Sequence, residues 1–428
     1  MGRFIYNLLM PPVFLAFLPR LIIKYRSRGG WKDTYGERFA RFGSREAELK
    51  KFHGAIWIHA VSVGETIVAL SMIRRYLERF PERKFILSTT TTTGQDVARA
   101  NIPENTTVIF CPLDFPWMVG KTLDLLRPSQ LVIFETELWP NLIAMSAGRG
   151  IPVTLVNGRL SDHSARGYRK LRGFFAPLLK KFTMILAQSD ADTERFLSVS
   201  PNAVVKTCGN MKFDQKIPEL GNDDILNGYF GDGGEVILAG STHPGEEELI
   251  VRCFKELKSE FPQLKLVLIP RHAERGKDVA EILKKADCSF VCRSLKTFPD
   301  EKVDVLLADT TGEMLMLMKD ADIVIMGKSF AGHDEGHNLI EPALLSKPIV
   351  TGPVLRNFRY LLKVMSEQEA VLTAADGELT AVLRKLLLDK SHREALGAKA
   401  YEVIGSNRGA VDRSIDALEE IRNQKVDA

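Results

Sequence analysis

Carboxylates at the ends of apolar runs are the first candidates for chemistry in this chain. In HAVSVGE, Glu65 falls in the first turn of an expected helix, beside Ser62 and Gly64. A helix N-terminus favours an ionised carboxylate. Such a group can take a proton from a sugar hydroxyl as general base, or it can simply complement the dipole. FETELWP puts Glu135 and Glu137 two residues apart, hence on one side of an extended chain. They could orient a polyhydroxylated acceptor, or they are solvated loop charges.

A second group suits a phosphate. GKSFAGHDEGHNLIEPALLSKP, Gly327 to Pro348, follows the apolar run ADIVIMG. Strand, glycine loop and helix start together can hold an anion on backbone N–H groups. Asn338 can cap the helix, and Glu341 on the same face can accept hydrogen bonds from ribose hydroxyls or complete a capping box. GSTHPGEEE, from Gly240, is a further strand-to-helix turn in which Ser241 and Thr242 can cap, although three glutamates already answer that dipole. IPRH sets Arg271 at a strand end, either for a planar contact to phosphate or base or for a surface ion pair. TGEM, Thr311 to Met314, opens another helix.

Metal chemistry is not expected. His333 and His337 stand at helical spacing around Asp334, but no H-E-x-x-H pattern is present, and loop histidines lining a polar pocket are the simpler reading. Asp-Ala-Asp occurs at Asp190 to Asp192 and at Asp320 to Asp322. It could chelate Mg²⁺, but its placement favours capping and turn roles. The five cysteines are scattered, with no C-x-x-C pair, which fits a reduced compartment.

The elements that must position these groups alternate. AIWIHAV, KFILSTT, TVIFCP, QLVIFETE, IPVTLVN and TMILAQS are apolar runs separated by helical segments, and EVILAGS, KLVLIPR, VDVLLAD, ADIVIMG and KPIVTG repeat the pattern. That grammar means α/β architecture with parallel sheets covered on both faces. Two Rossmann-like domains with a cleft between them follow, with ligands at the carboxyl ends of strands. Polar residues collect there, among them Thr92 and Gly94, Asn157 and Arg159.

At 428 residues the chain needs more than one core. The expected divisions are an anchor over 1–30, an acceptor domain over 31–217, a linker over 218–234, a donor domain over 235–410, and a C-terminal helix over 411–428 placed to return to the first domain. Helices are also expected over Gly377 to Lys390 and His392 to Ile404. A net charge of +4 gives no argument for nucleic acid. The N-terminal run Phe4 to Ile23 has one bilayer span of length but contains Pro11, Pro12, Pro19 and Arg20, and no small-residue cleavage site. Arg20, Lys24, Arg26, Arg28 and Lys32 would keep the next domain cytoplasmic. An N-terminal membrane anchor, spanning or interfacial, is expected, against a buried amphipathic helix of the first domain.

HAVSVGE, STTTTTG, FETELWPN, VNGRLS, GNMKFD, GSTHPGEEE, IPRH and GHNLIEP, in that order over nearly the whole chain, resemble the 3-deoxy-D-manno-octulosonic acid (Kdo) transferases. The resemblance implies a GT-B fold and metal-independent, inverting transfer of Kdo from CMP-Kdo to a lipid A precursor at the inner membrane. It implies no cofactor and no nucleic-acid partner. It puts the general base at Glu65 and a second essential carboxylate at Glu137 or Glu135. CMP contacts fall on Arg271, Pro270, Gly240, Ser241, Glu313, Met314, Gly327, Ser329, Asn338 and Glu341. The acceptor or sugar side takes Ser62, Gly64, Thr92, Gly94, Asn157, Arg159 and Lys212, the last with Asp214 in the GN-x-KFD segment. The chain departs from the family at AGHDEGHN, where a short glycine pair is usual, and at Leu339, where a proline is common. A UDP-sugar transferase or epimerase, and a non-catalytic nucleotide-sugar-binding membrane protein, are the rival readings.

Overall fold

The computed structural model describes residues 2–27, 36–221, 225–231, 233–299 and 301–426. The chain divides into two compact units, one formed by Met1–Gln215 with Asn407–Ala428 and one by Lys216–Ser406.

The first unit is built on a seven-stranded sheet, all neighbours parallel, in the order β3-β2-β1-β4-β5-β6-β7. Its strands are β1 (Ile56–His59), β2 (Phe85–Thr89), β3 (Thr106–Phe110), β4 (Gln130–Phe134), β5 (Val153–Gly158), β6 (Met184–Ala187) and β7 (Val205–Thr207). The six longer strands are continuous apolar runs because helices bury both faces of the sheet. Trp57, Leu131 and Ile133 face one core cluster, while Ile58, Val132 and Phe134 face the other. The chain winds outward from β1 to β3 and then crosses back to β4. The order therefore reverses between β1 and β4, which is where open α/β sheets leave a crevice at their carboxyl ends.

The second unit repeats the plan with seven parallel strands in the order β10-β11-β9-β8-β12-β13-β14. They are β8 (Val236–Thr242), β9 (Lys265–Pro270), β10 (Phe290–Cys292), β11 (Val305–Leu307), β12 (Ile323–Met326), β13 (Ile349–Thr351) and β14 (Leu372–Thr373). Here the reversal lies between β8 and β12.

Helix Ala410–Val426 packs on the first unit. Val411, Ile415 and Leu418 join Ile73 and Tyr76 in one core cluster. Arg75, Arg79 and Arg83 of helix Val63–Arg79 and its exit reach Asp412 at 2.9 Å, Asp416 at 2.6 Å and Glu419 at 2.8 Å. The apolar seam carries most of the attachment, since exposed pairs contribute only about 0–1 kcal/mol each.

The stretch expected as a linker contains a helix, Ile225–Phe230, with Leu226, Tyr229 and Phe230 buried. Four apolar residues at one helical stripe were hidden among glycines and aspartates. The N-terminal segment is one helix, Gly2–Ser27. It docks on the first unit: the Tyr6 hydroxyl donates to Asp114 at 3.0 Å, Asn141 donates to Asn7 at 2.6 Å, and Phe14 meets Phe115 edge-on at 5.6 Å. Among the described residues, no helix is long and apolar enough to cross a membrane, so the spanning form of the anchor is not supported. The side chains of the basic cluster from Arg20 to Lys32 lie outside the described residues.

Candidate active site

In the first unit, the carboxylates converge on the β1/β4 reversal. Ser62 caps helix Val63–Arg79 by accepting the Glu65 N–H at 3.3 Å. Glu65 reciprocates, taking the Ser62 hydroxyl at 2.7 Å and the Val61 N–H at 2.8 Å, as a capping box does. The dipole-complementing role is thus real. It does not exhaust the group, because an ionised carboxyl has about four acceptor positions. Burial pushes the Glu65 pKa up, the Val61 and Ser62 hydrogen bonds pull it back, and the charge of Glu135 raises it further. Glu137 is also pushed up, first by burial and then by Glu65, while a hydrogen bond from Trp139 opposes the shift. Glu65 raises Glu137, and Glu135 raises both, so the three carboxylates read as one functional cluster.

Glu135 takes a left-handed backbone at φ 52° as β4 ends, and Lys212 binds it at 3.1 Å. The Lys212 N–H donates to Asn210 Oδ1 at 3.0 Å, and the preceding residue is secured by Asn157. This side chain is buried, and its Oδ1 accepts the Met211 N–H at 3.0 Å. Asn157 therefore positions the Lys212 segment from a buried place through its Oδ1, while its Nδ2 has no hydrogen-bond partner among the described residues. Gly94 is likewise a packing position: a Cβ there would stand 2.8 Å from Thr91 Oγ1 and 3.3 Å from Thr66 Oγ1. Its absence lets helix Thr92–Ala100, which Thr92 opens, press against the Ser62 turn. Gly64 is open to solvent, and the Arg159 carbonyl accepts the Thr136 hydroxyl. Asp214 accepts the N–H groups of Gly409 and Val411 at the start of the last helix.

Two residues that sequence reasoning passed over support Glu137. Trp139 donates to it, and the ring of Trp139 receives His59 edge-on at 5.5 Å. His59 is fully buried, bound through Nδ1 to the Ser88 hydroxyl at 2.9 Å, and burial holds its pKa at about 4. The aromatic inside FETELWP was the available signal.

The second unit departs from expectation at the glycine loop. The N–H groups of Lys328, Ser329 and Phe330, which a phosphate was expected to take, are already bound. All three donate to Glu246, at 2.8, 2.9 and 2.9 Å, and His243 N–H adds a fourth bond at 2.8 Å. Glu246 is fully buried. It serves as an internal anion that fastens the β12 loop to the β8 loop. Gly327 is required by this packing, since a Cβ would lie 2.6 Å from the Ser241 carbonyl and 2.9 Å from Glu246. Ser329 is 4% exposed, and its hydroxyl is used on Met326, Thr351 and Gly352. Neither is a free ligand group.

Other donor-side candidates sit at the same carboxyl ends. Gly240 lies within β8 against Met314 and Met326. Ser241 is buried with its hydroxyl toward the Met314 sulfur at 3.7 Å, and Gly245, not Ser241 or Thr242, caps the following helix. Glu313 precedes helix Met314–Lys319 and is clamped by Arg293 at 2.8 Å. Pro270 ends β9, and Arg271 follows it, exposed and with no ion pair among the described residues. Asn338 accepts the Ile340 N–H at 3.1 Å, and Glu341 stands in the first turn of helix Ile340–Leu344. That helix is only five residues long, so its dipole is weak.

The Asp-Ala-Asp pairs act structurally. Asp192 accepts Leu160 N–H and Asp322 accepts Val236 N–H, each at 2.9 Å. Among the described residues, no group of three or more His, Cys, Asp or Glu is arranged to hold a metal ion. All five thiols are free.

A family model for 3-deoxy-D-manno-octulosonic-acid transferase (kdotransferase) matches residues 33–215. The chain is 32% identical to the 3-deoxy-D-manno-octulosonic acid transferase of Haemophilus influenzae, with all of both chains covered. The chain belongs to the Kdo transferase family. The family's enzyme from Bordetella pertussis is 31% identical, over 98% of this chain and 99% of that one. This Kdo transferase family member is therefore a glycosyltransferase. Its GT-B-type fold is shared with the UDP-GlcNAc 2-epimerase of Neisseria meningitidis, at TM-score 0.55 and 13% identity over 86% of this chain and all of that one. It is shared too with Acinetobacter baumannii MurG, at TM-score 0.54 and 13% identity over 86% and 99%.

Proposed function

We propose that this enzyme transfers Kdo from CMP-Kdo to a lipid A precursor, with inversion and without a metal or other cofactor. The observation that carries the reading is Glu65. It is a buried carboxylate with a raised pKa, fixed by its own capping box at a switch point, in a chain similar to Kdo transferases from end to end. A raised pKa brings a carboxylate closer to the range in which it accepts a proton effectively.

The chemistry asks three things of the protein. Glu65 takes the proton of the attacking acceptor hydroxyl. The bond between the anomeric carbon and the phosphate oxygen breaks, and CMP leaves with the electron pair. Glu137 and the Lys212–Glu135 pair order the sugar hydroxyls beside Glu65, and Arg271, which has no ion pair among the described residues, meets the phosphate. A single inverting displacement requires no covalent enzyme intermediate.

The reading also places the enzyme on the cytoplasmic face of the inner membrane. Helix Gly2–Ser27 turns Phe4, Leu8 and Leu15 outward at 73, 64 and 63% exposure, and Trp117 adds a further outward ring at 63%. An apolar helix face with an exposed indole suits insertion at the headgroup boundary.

The test is labelled Kdo transfer from CMP-Kdo made beforehand, with EDTA present, to a lipid A precursor. Wild type is expected to transfer, and Glu65→Gln to lose about 10²–10⁴-fold. An undiminished Glu65→Gln rate would remove the base assignment. Competition by UDP but not CMP would replace the donor.

A further inference from the structure

Four histidines of the second unit gather at the β8/β12 reversal. His243 follows β8, His272 follows β9, and His333 and His337 lie in the loop after β12. The Nε2 atoms of His243 and His337 face each other at 3.3 Å, with the rings near-parallel at 5.5 Å. His333 stands 5.5 Å from His243 and His272 stands 6.3 Å from it. The His333 ring also bonds the Pro244 carbonyl at 3.0 Å, so its Nε2 carries the proton. The two loops cannot drift apart, because Glu246 binds backbone N–H groups of both.

That geometry fixes a protonation pattern. Two imidazole nitrogens in contact cannot both be donors. When both rings are neutral, one Nε2 holds a hydrogen and the other accepts it. The pair therefore contains one proton along its contact axis and has a vacant basic site on one ring's far side.

The surroundings are strongly cationic. Arg271 and Lys328 lie near His337, and Lys328 and Arg275 near His243, where the rings of His333 and His272 also stand. Arg275 is tied to buried Glu247 at 2.6 Å. Glu335 is the acidic group acting on His337, and Asp334 is engaged by Arg356. Glu246 is used up by N–H groups. Burial first, and these cations second, hold both His243 and His337 at about 4.

We propose that His243 and His337 form a proton-accepting seat for the phosphate of the bound nucleotide, so that binding of the phosphate draws one proton onto the pair. This rests on the donor reading above and assigns to it two residues, His243 and His337, outside the expected CMP contacts. The reason is electrostatic. A ligand phosphate offsets the charge of Arg271 and Lys328 and supplies an acceptor for an imidazolium N–H. Each unit charge about 4 Å away moves a titration by roughly three pH units when the effective dielectric is about 20, and the CMP dianion carries two. A pair that is neutral on its own thus becomes protonated near neutral pH once the anion is seated. The departing CMP, which gains a negative charge when the sugar leaves, is then met by a stored proton.

The test is calorimetric titration of the full-length enzyme with CMP at pH 7.5, in buffers of different ionisation enthalpy, to count protons taken up per ligand. At that pH free CMP is almost wholly dianionic, its second phosphate pKa being about 6. Wild type is expected to take up close to one proton with CMP and none with cytidine. His243→Asn and His337→Asn are expected to bind CMP more weakly, with little proton uptake, and with an affinity that no longer falls by up to tenfold per pH unit on the alkaline side. CMP binding by wild type without proton uptake would overturn the seat and leave the donor reading standing. Unchanged uptake in either variant would also overturn it. A folded wild type that binds neither CMP nor pyrophosphate would overturn both.

Discussion

Glu65, Glu135 and Glu137 crowd the neighbouring ends of β1 and β4, and Lys212 binds the second of them. Because Glu135 raises the pKa of both other carboxylates, its neutralisation has a definite sign. Glu135→Gln removes a raising influence and releases Lys212, and both changes favour ionised Glu65. The acidic limb of the rate profile for Kdo transfer is therefore expected to move to lower pH in Glu135→Gln. An unmoved limb, or a shift upward, would mean that Glu65 is not the group that sets it. This neighbourhood was half legible from the sequence. A carboxylate next to a strand end declares itself. Asn157 and Ser329 stand at strand ends as well and look the same in a sequence, yet the Oδ1 of the first and the hydroxyl of the second are used by the fold. Nothing local distinguishes an amide that meets a ligand from one that meets the backbone of a segment 54 residues away.

At the scale of elements, the β8 and β12 loops behave as one piece because Glu246 joins them. Glu246→Gln would turn an amide NH₂ toward two backbone donors that now point at an oxygen. Hydrogen bonds to charged groups contribute roughly 1.5–3 kcal/mol each, so the expected loss is about 3 kcal/mol or more, localised to these loops. Hydrogen exchange is the suitable measurement: amides 328–330 should lose protection in the variant while those of β9 keep theirs. Equal exchange in both proteins would show that Glu246 does not hold the loops. The sequence presented Glu246 as one of three acidic residues in a first turn, the ordinary complement to a dipole. Its burial follows from a neighbouring loop with three parallel N–H groups, and that is a tertiary fact. The strands were easier. Each long one is buried on both faces and so reads as an unbroken apolar run. The edge strands β7, β10 and β14 are two or three residues long and partly exposed, and they carry no such signature.

For the whole molecule, the asymmetry between the units is the main consequence of connectivity. The second unit is one continuous stretch, whereas the first needs residues from both ends of the chain. A fragment of 216–406 is expected to fold alone and to show cooperative unfolding. A fragment of 1–215 is expected to aggregate or to bind a hydrophobic dye, because Ile73 and Tyr76 would lose the cover of Ile415 and Leu418. Supplying 407–428 as a separate peptide should restore it. A well-folded 1–215 fragment would show that the last helix is dispensable.

The returning helix also bears on synthesis. A ribosome makes the chain from its N-terminus, and most domains complete themselves as they emerge. Here the first unit must wait for the final helix, while the second can finish earlier. At about 5–20 residues per second, the interval between the end of the first segment and the arrival of its missing helix is roughly 10–40 s. Throughout it, the nascent chain presents an uncovered apolar face on one side of the sheet and an outward-facing apolar N-terminal helix docked on the other. Both surfaces are typical clients for chaperone holding, and vectorial synthesis makes the C-terminal tail the step that releases them.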